Sequence, residues 1–160
     1  MKKSRFRKII IAGATLTGVM ITLILSQEIF FEYKSAEEGV PITVYKSPSC
    51  RCCNKWAQHL EDNGFNVNTV NKFDMKIIKS KEGVPLQLAS CHTAVVEGYV
   101  IEGHVPAKDI KRLLKEQPAI SGLTVPGMPM GSPGMEGARK DAYNVLTFTK
   151  DGDSTVFSRY

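Results

Sequence analysis

Cysteine is scarce in this chain: four in 160 residues, three of them crowded at Cys50, Cys52 and Cys53 and the fourth at Cys91. That spacing is poor for stapling distant parts of a chain, so a disulfide-built scaffold is excluded and a reactive or metal-binding cluster is what remains. Acidic residues are missing altogether before Glu28, whereas Lys2, Lys3, Arg5, Arg7 and Lys8 open the sequence. With those five removed, the 21 Lys and Arg fall to 16 and balance the 16 Asp and Glu. The body of the chain therefore lacks the basic stripe that binding to DNA or RNA requires, and a nucleic-acid partner is not expected. Internal repeats are lacking too. A hydrophobic fraction of 42% and a charged fraction of 23% exclude wholesale disorder.

The basic start is instead the front of an export signal. An apolar run from Ile9 to Leu25 follows it directly, and its helical length of about 25 Å is at the short edge of what spans a bilayer. Ile29, Phe30 and Phe31 extend it past a polar step. Positive residues before an apolar run leave the N-terminus in the cytoplasm and send the rest across. With no small-x-small cleavage site evident, the expectation is an uncleaved anchor more than a signal peptide. The organisation read from this is a basic cytoplasmic start (1–8), an anchor or signal segment (9–31), a polar tether (32–40) and one folded domain (41–160). The domain is expected in the periplasm, held to the inner membrane by residues 9–25, with no other membrane contact.

Within the domain, Pro41–Tyr45 is β-branched and aromatic and predicts a strand. Residues Cys52–Asn63 turn helical, with Trp56 and Leu60 on the inward stripe and His59 on the surface, and Asn63-Gly64 ends them. Phe65–Val70 predicts a second strand and Met75–Lys81 a short helix. Ala94–Val96 and Tyr99–Ile101 predict a hairpin across Glu97-Gly98, and Pro106–Lys115 a helix. This β-α-β-α-β-β-α order is the thioredoxin-like arrangement, an α/β fold with a central mixed sheet and flanking helices. Residues 117–138 carry four Pro, five Gly and three Met without a period, which reads as a long loop of functional type. Tyr143–Thr149 and Thr155–Phe157 predict a terminal hairpin.

Cys50 and Cys53 form a Cys-x-x-Cys pair with Cys52 inside it, placed where a strand gives way to a helix. Helix N-termini present free N–H groups and partial positive charge, which stabilise thiolates as nucleophiles and as metal ligands. Thiol–disulfide exchange needs only two sulfurs, so the third argues for a soft ion. In this fold Cys91-His92 lies in the loop that faces the dithiol, where such folds usually carry a cis-proline. Met128, Met130 and Met135 supply neutral, soft thioethers from the Gly/Pro loop, or else a hydrophobic lid. His104, just before the last helix, is a ligand or a plain loop residue.

Ser47-Pro48-Ser49-Cys50-Arg51-Cys52-Cys53, Gly83-Val84-Pro85, Ser90-Cys91-His92-Thr93-Ala94, Gly98–Pro106 and Val125–Pro129 together resemble one bacterial family, the CopG-type copper-resistance proteins. These are thioredoxin-like, metal-binding by prediction, and were first catalogued as a domain of unknown function. The resemblance spans about residues 41–160. It implies a periplasmic role in copper resistance, with several copper ions gathered by cysteine and Cu(I)/Cu(II) redox chemistry as a further expectation. By resemblance Cys50, Cys52, Cys53 and Cys91 are the family's cysteines, and His92, His104, Met128 and Met130 its other ligands. Arg51 stands where many relatives have glycine.

Three functions are consistent with this reading. The first is copper binding for resistance, with Cu(I) in the cysteine cluster and other periplasmic copper-handling proteins as partners; with redox turnover the chain would be a copper-dependent oxidoreductase. The second is a thiol–disulfide oxidoreductase with Cys50 attacking and Cys53 resolving, which leaves Cys52, Cys91 and the methionines without roles. The third, a structural zinc site, is the weaker fit, because adjacent Cys52 and Cys53 diverge around one tetrahedral ion.

Overall fold

The computed structural model describes residues 39–160. The predicted basic start, the membrane segment and residues 32–38 of the tether lie outside the described residues.

Strand β1 (Val40–Lys46) buries Ile42, Val44 and Lys46 on alternate positions, the period-2 pattern of a sheet with one face inward. It runs parallel to β2 (Phe65–Asn71), with Ile42 opposite Val67, and the crossover between them is helix α1 (Arg51–Asp62). Cys53, Trp56, Ala57 and Leu60 recur at helical spacing along the buried stripe of α1. Asn63 closes the helix, its side-chain amide donating to the His59 carbonyl at 2.8 Å. Helix α2 (Met75–Lys81) is capped by Asp74, which accepts from the Lys76 N–H at 2.9 Å.

Strands β3 (Thr93–Val96) and β4 (Tyr99–Glu102) make the predicted hairpin, with Glu97 and Gly98 both at positive φ, 46° and 83°. Helix α3 (Ala107–Glu116) follows, one residue later than predicted, with Pro106 as its cap instead of its first helical residue. Strands β6 (Asn144–Phe148) and β7 (Ser154–Arg159) form the terminal hairpin.

One strand went unpredicted. Gly122–Thr124, inside the segment read as loop, is strand β5 and pairs parallel with β4 and antiparallel with β6. Three residues cannot display a period, so local pattern could not have found it. It joins the two hairpins into one seven-stranded mixed sheet, in the order β2-β1-β3-β4-β5-β6-β7. The fold is thus α/β with flanking helices, as expected, and its sheet is wider than the sequence implied.

The main core gathers around Trp56, Leu60, Ile101, Ile110, Leu113, Leu123 and their neighbours. Trp56 is its anchor, fully buried, with the indole N–H donating to the Val105 carbonyl at 2.8 Å. His59 departs from its predicted surface role. It is half-buried, and its Nε2 accepts the Ala107 N–H at 3.1 Å, satisfying a free donor at the start of α3.

Gly122 sits where a Cβ would lie 1.8 Å from the Val100 carbonyl oxygen. Gly122→Ala must therefore push β5 off β4, and a loss of about 2–3 kcal/mol is expected, by the cost of overpacking. Urea denaturation followed by Trp56 fluorescence measures it; unaltered stability would mean that β5 is not paired as described.

Candidate metal centre

The chain leaves β1 through a turn at Ser47–Ser49 and enters α1 at Cys50, whose N–H donates to the Ser47 carbonyl at 3.1 Å. No acidic residue stands in the first turn of the helix, so nothing there opposes a thiolate. Cys50 and Cys53 are joined in a disulfide, their Cα atoms 5.3 Å apart. Cys52 is a free thiol with its sulfur 3.5 Å from that of Cys50. Cys53 is fully buried, and the Cys91 sulfur approaches it to 3.6 Å across the site. All four cysteine sulfurs lie within 4.8 Å of one another. The fold thus closes a gap of 38 residues, as the thioredoxin-like reading anticipated.

Cys91 belongs to a second group as well. Its sulfur lies 3.2 Å from Nδ1 of His92 and 3.1 Å from Nε2 of His104. Both imidazoles are fully buried. His104 donates its Nδ1–H to the Pro133 carbonyl at 2.7 Å. That bond fixes the tautomer and leaves the lone pair of Nε2 directed at Cys91, the kind of outer support metal-binding histidines use. His104 is therefore more than a loop residue. His92 lies against Trp56, ring centroids 4.3 Å apart, and edge-on to His104 at 5.0 Å.

The loop bearing Cys91 and His92 is held by a residue that the sequence reading did not single out. Glu102 is 0% exposed and takes three donors: the Lys79 ammonium, the Ser90 N–H at 2.5 Å and the Thr93 hydroxyl at 2.7 Å. Ser90 and Thr93 bracket Cys91-His92, and Glu102 stands two residues before His104. One carboxylate thus ties together both segments that carry candidate ligands. A signal was available: counting back from the Glu97-Gly98 turn pairs Thr93 with Glu102. Lys79, on a helix with no buried residues, left no such trace.

The methionine segment is laid directly on α1. Gly134, at φ +84°, comes so close that a Cβ would meet the Cys52 carbonyl at 2.7 Å and the Trp56 nitrogen at 2.9 Å. Met130 and Met135 line a hollow of about 350 Å³ with Cys52. Met128, by contrast, is 52% exposed and does not line it.

The donor set fits a soft ion. Four sulfurs converge, and the Cys91 sulfur among them faces Nδ1 of His92 and Nε2 of His104. Burial, then the charge of Cys52, pushes the Cys91 thiol up to about 12. Burial foremost, then His104 and Lys79, holds His92 well below the usual imidazole range, and burial also lowers His104 and His59. The metal-free site is accordingly a protonated Cys91 beside neutral imidazoles, and metal binding must release the thiol proton.

The model of a family described as a protein of unknown function, DUF411, matches residues 88–135, the stretch from the Cys91 loop through the methionines. The solved structure named Copper resistance protein copG, form 1, is 48% identical, with a TM-score of 0.72 over 77% of this chain and 98% of that one. Form 2 is 47% identical, with a TM-score of 0.72 over 77% of this chain and 99% of that one. No curated protein sequence matches.

Two outcomes follow from this geometry. Because His59, His92 and His104 are all lowered from 6.5, the unfolded chain takes up their protons first as pH falls. Their contribution to stability is full above about 6.5 and declines as pH drops toward the lower folded values. Thermal midpoints measured from about pH 7 down to about pH 5 should fall; a flat profile would contradict the burial of neutral imidazoles. Lys79→Met leaves Glu102 buried without its cation and is expected to cost about 3–5 kcal/mol, read by denaturant titration.

Proposed function

The chain belongs to the CopG-type copper-resistance family, and on that footing we propose that it stores or transfers copper(I) in a cluster held by Cys50, Cys52, Cys53 and Cys91, with His92 and His104 completing one side. The observation that carries this reading is the position of Cys91, whose sulfur belongs to both the four-cysteine group and the Cys-His-His group. A thiolate can bridge two ions, so one domain can hold more than one Cu(I). Copper is cargo here. The Cys50–Cys53 disulfide must first be reduced by an external dithiol, which supplies two electrons and two protons and leaves as its own disulfide, after which each thiol gives up its proton as sulfur binds copper.

Cysteine favours Cu(I), while imidazole accepts Cu(I) and Cu(II) alike. That contrast around one shared sulfur supports redox cycling as part of the same proposal. The export reading of residues 1–31 sets the domain in the periplasm on an inner-membrane anchor, where other copper-handling proteins supply or receive the ion.

A second reading is favoured by one observation, the disulfide at the start of α1. As a thiol–disulfide oxidoreductase the chain would use Cys50 to attack and Cys53 to resolve. The two readings separate at Cys91. Anaerobic Cu(I) titration of the reduced chain against a chromophoric chelator should give two or more tightly held ions. Cys91→Ser should lower that number while dithiol exchange at Cys50 and Cys53 continues. Parental copper content in the variant would remove Cys91 from the site, and no competition for copper by the parent would leave the oxidoreductase as the better account.

A further inference from the structure

Half of the proposed ligands are out of reach of an ion arriving from solvent. Cys53, His92 and His104 are fully buried, whereas Cys50, Cys52 and Cys91 are each partly exposed. Of the partly exposed cysteines, Cys52 carries a free thiol and also forms one wall of the 350 Å³ hollow, which neither Cys50 nor Cys91 lines. The other walls include two thioethers, Met130 and Met135, with Arg51, Lys55 and Glu136 around them.

The two methionines are fixed by their backbones. The Met130 N–H donates to the Asp141 carboxylate at 3.2 Å, and its carbonyl accepts the Asp141 N–H at 2.8 Å. Met135 donates its N–H to the Ser132 carbonyl and accepts at its own carbonyl from the Gly131 N–H, both at 2.8 Å. Neither backbone is free to swing, so the two side chains are presented to the hollow in advance. Gly134 then seats the turn on the backbone of α1 beside Cys52.

We propose that this hollow is the port through which copper(I) enters and leaves the cluster, with Met130 and Met135 as transient ligands and Cys52 as the first thiol to receive the ion. The proposal rests on the copper reading above and specifies its route. Thioethers are neutral, soft donors that hold Cu(I) in competition with water. A thiolate is charged and binds more strongly, so an ion seated on the methionines moves downhill to Cys52. No electron is transferred: copper exchanges its former ligands for sulfur, and the Cys52 thiol releases its proton to solvent as the Cu–S bond forms. Arg51 and Lys55 favour copper delivered as an anionic complex. The sulfurs of Cys50 and Cys91 lie within 4.8 Å of that of Cys52, so the ion reaches the cluster in one further step.

The test is stopped-flow transfer of Cu(I) from its anionic bicinchoninate complex to the reduced full chain, for the parent and for the double variant Met130→Leu, Met135→Leu. Leucine keeps the volume and apolar character of methionine and removes only the sulfur. Uptake by the variant is expected to slow by about tenfold, with the same copper content at the end-point and the same circular dichroism. Uptake at the parental rate would overturn the port. So would a lowered end-point content at an unchanged rate, because the methionines would then be resident ligands. A parent that takes no copper would fail the copper reading itself, an outcome distinct from a parent that loads normally beside an equally fast variant.

Discussion

The geometry of the site depends on one buried carboxylate. Glu102 lies at the end of β4 with no exposure to solvent, and its oxygens collect the Lys79 ammonium, the Ser90 N–H and the Thr93 hydroxyl. A carboxylate in a dry interior is tolerated only when its lone pairs are met and its charge is paired. Those donors come from α2, from the loop before β3 and from β3 itself, so satisfying Glu102 assembles three separate pieces of chain. Cys91 and His92 are fixed between two of the donors, and His104 follows two residues after the acceptor. The hydrogen bonds to this carboxylate hold the candidate ligands in place.

The same dryness shapes the chemistry. Burial keeps Cys91 protonated, at about 12, and keeps His92 and His104 neutral. The site therefore carries little charge, and an ion bound there would displace a thiol proton. Neutral imidazoles with a fixed tautomer suit ligation, and the Pro133 carbonyl supplies that constraint from the methionine segment. One loop thus performs two tasks: its backbone orients His104 while its side chains line the hollow beside Cys52.

Membership in the copper-resistance family agrees with this chemistry. The family model covers the Cys91 loop, His104 and the methionines together, and the related solved structures span the folded part of the chain. Sulfur donors concentrated at a helix start, with imidazoles on the far side of one shared thiol, suit a soft ion.

Most of the architecture was legible in the sequence because it rests on local pattern. The β-branched and aromatic run of β1, the helical stripe of Trp56 and Leu60, the Glu97-Gly98 turn and the Asn63-Gly64 stop each sit within a few residues, and element order followed from them. The cysteine cluster was equally local, since three of its members occupy four positions. The tertiary structure decided what local pattern cannot hold. Strand β5 is too short to show a period and exists because β4 and β6 both need a neighbour. The support from Glu102, the capping role of His59 and the difference between Met130 and Met128 all arise from contacts between residues far apart in the chain. Sequence fixed which donors are present; only the packing of distant segments around a buried charge decided which of them face the same space.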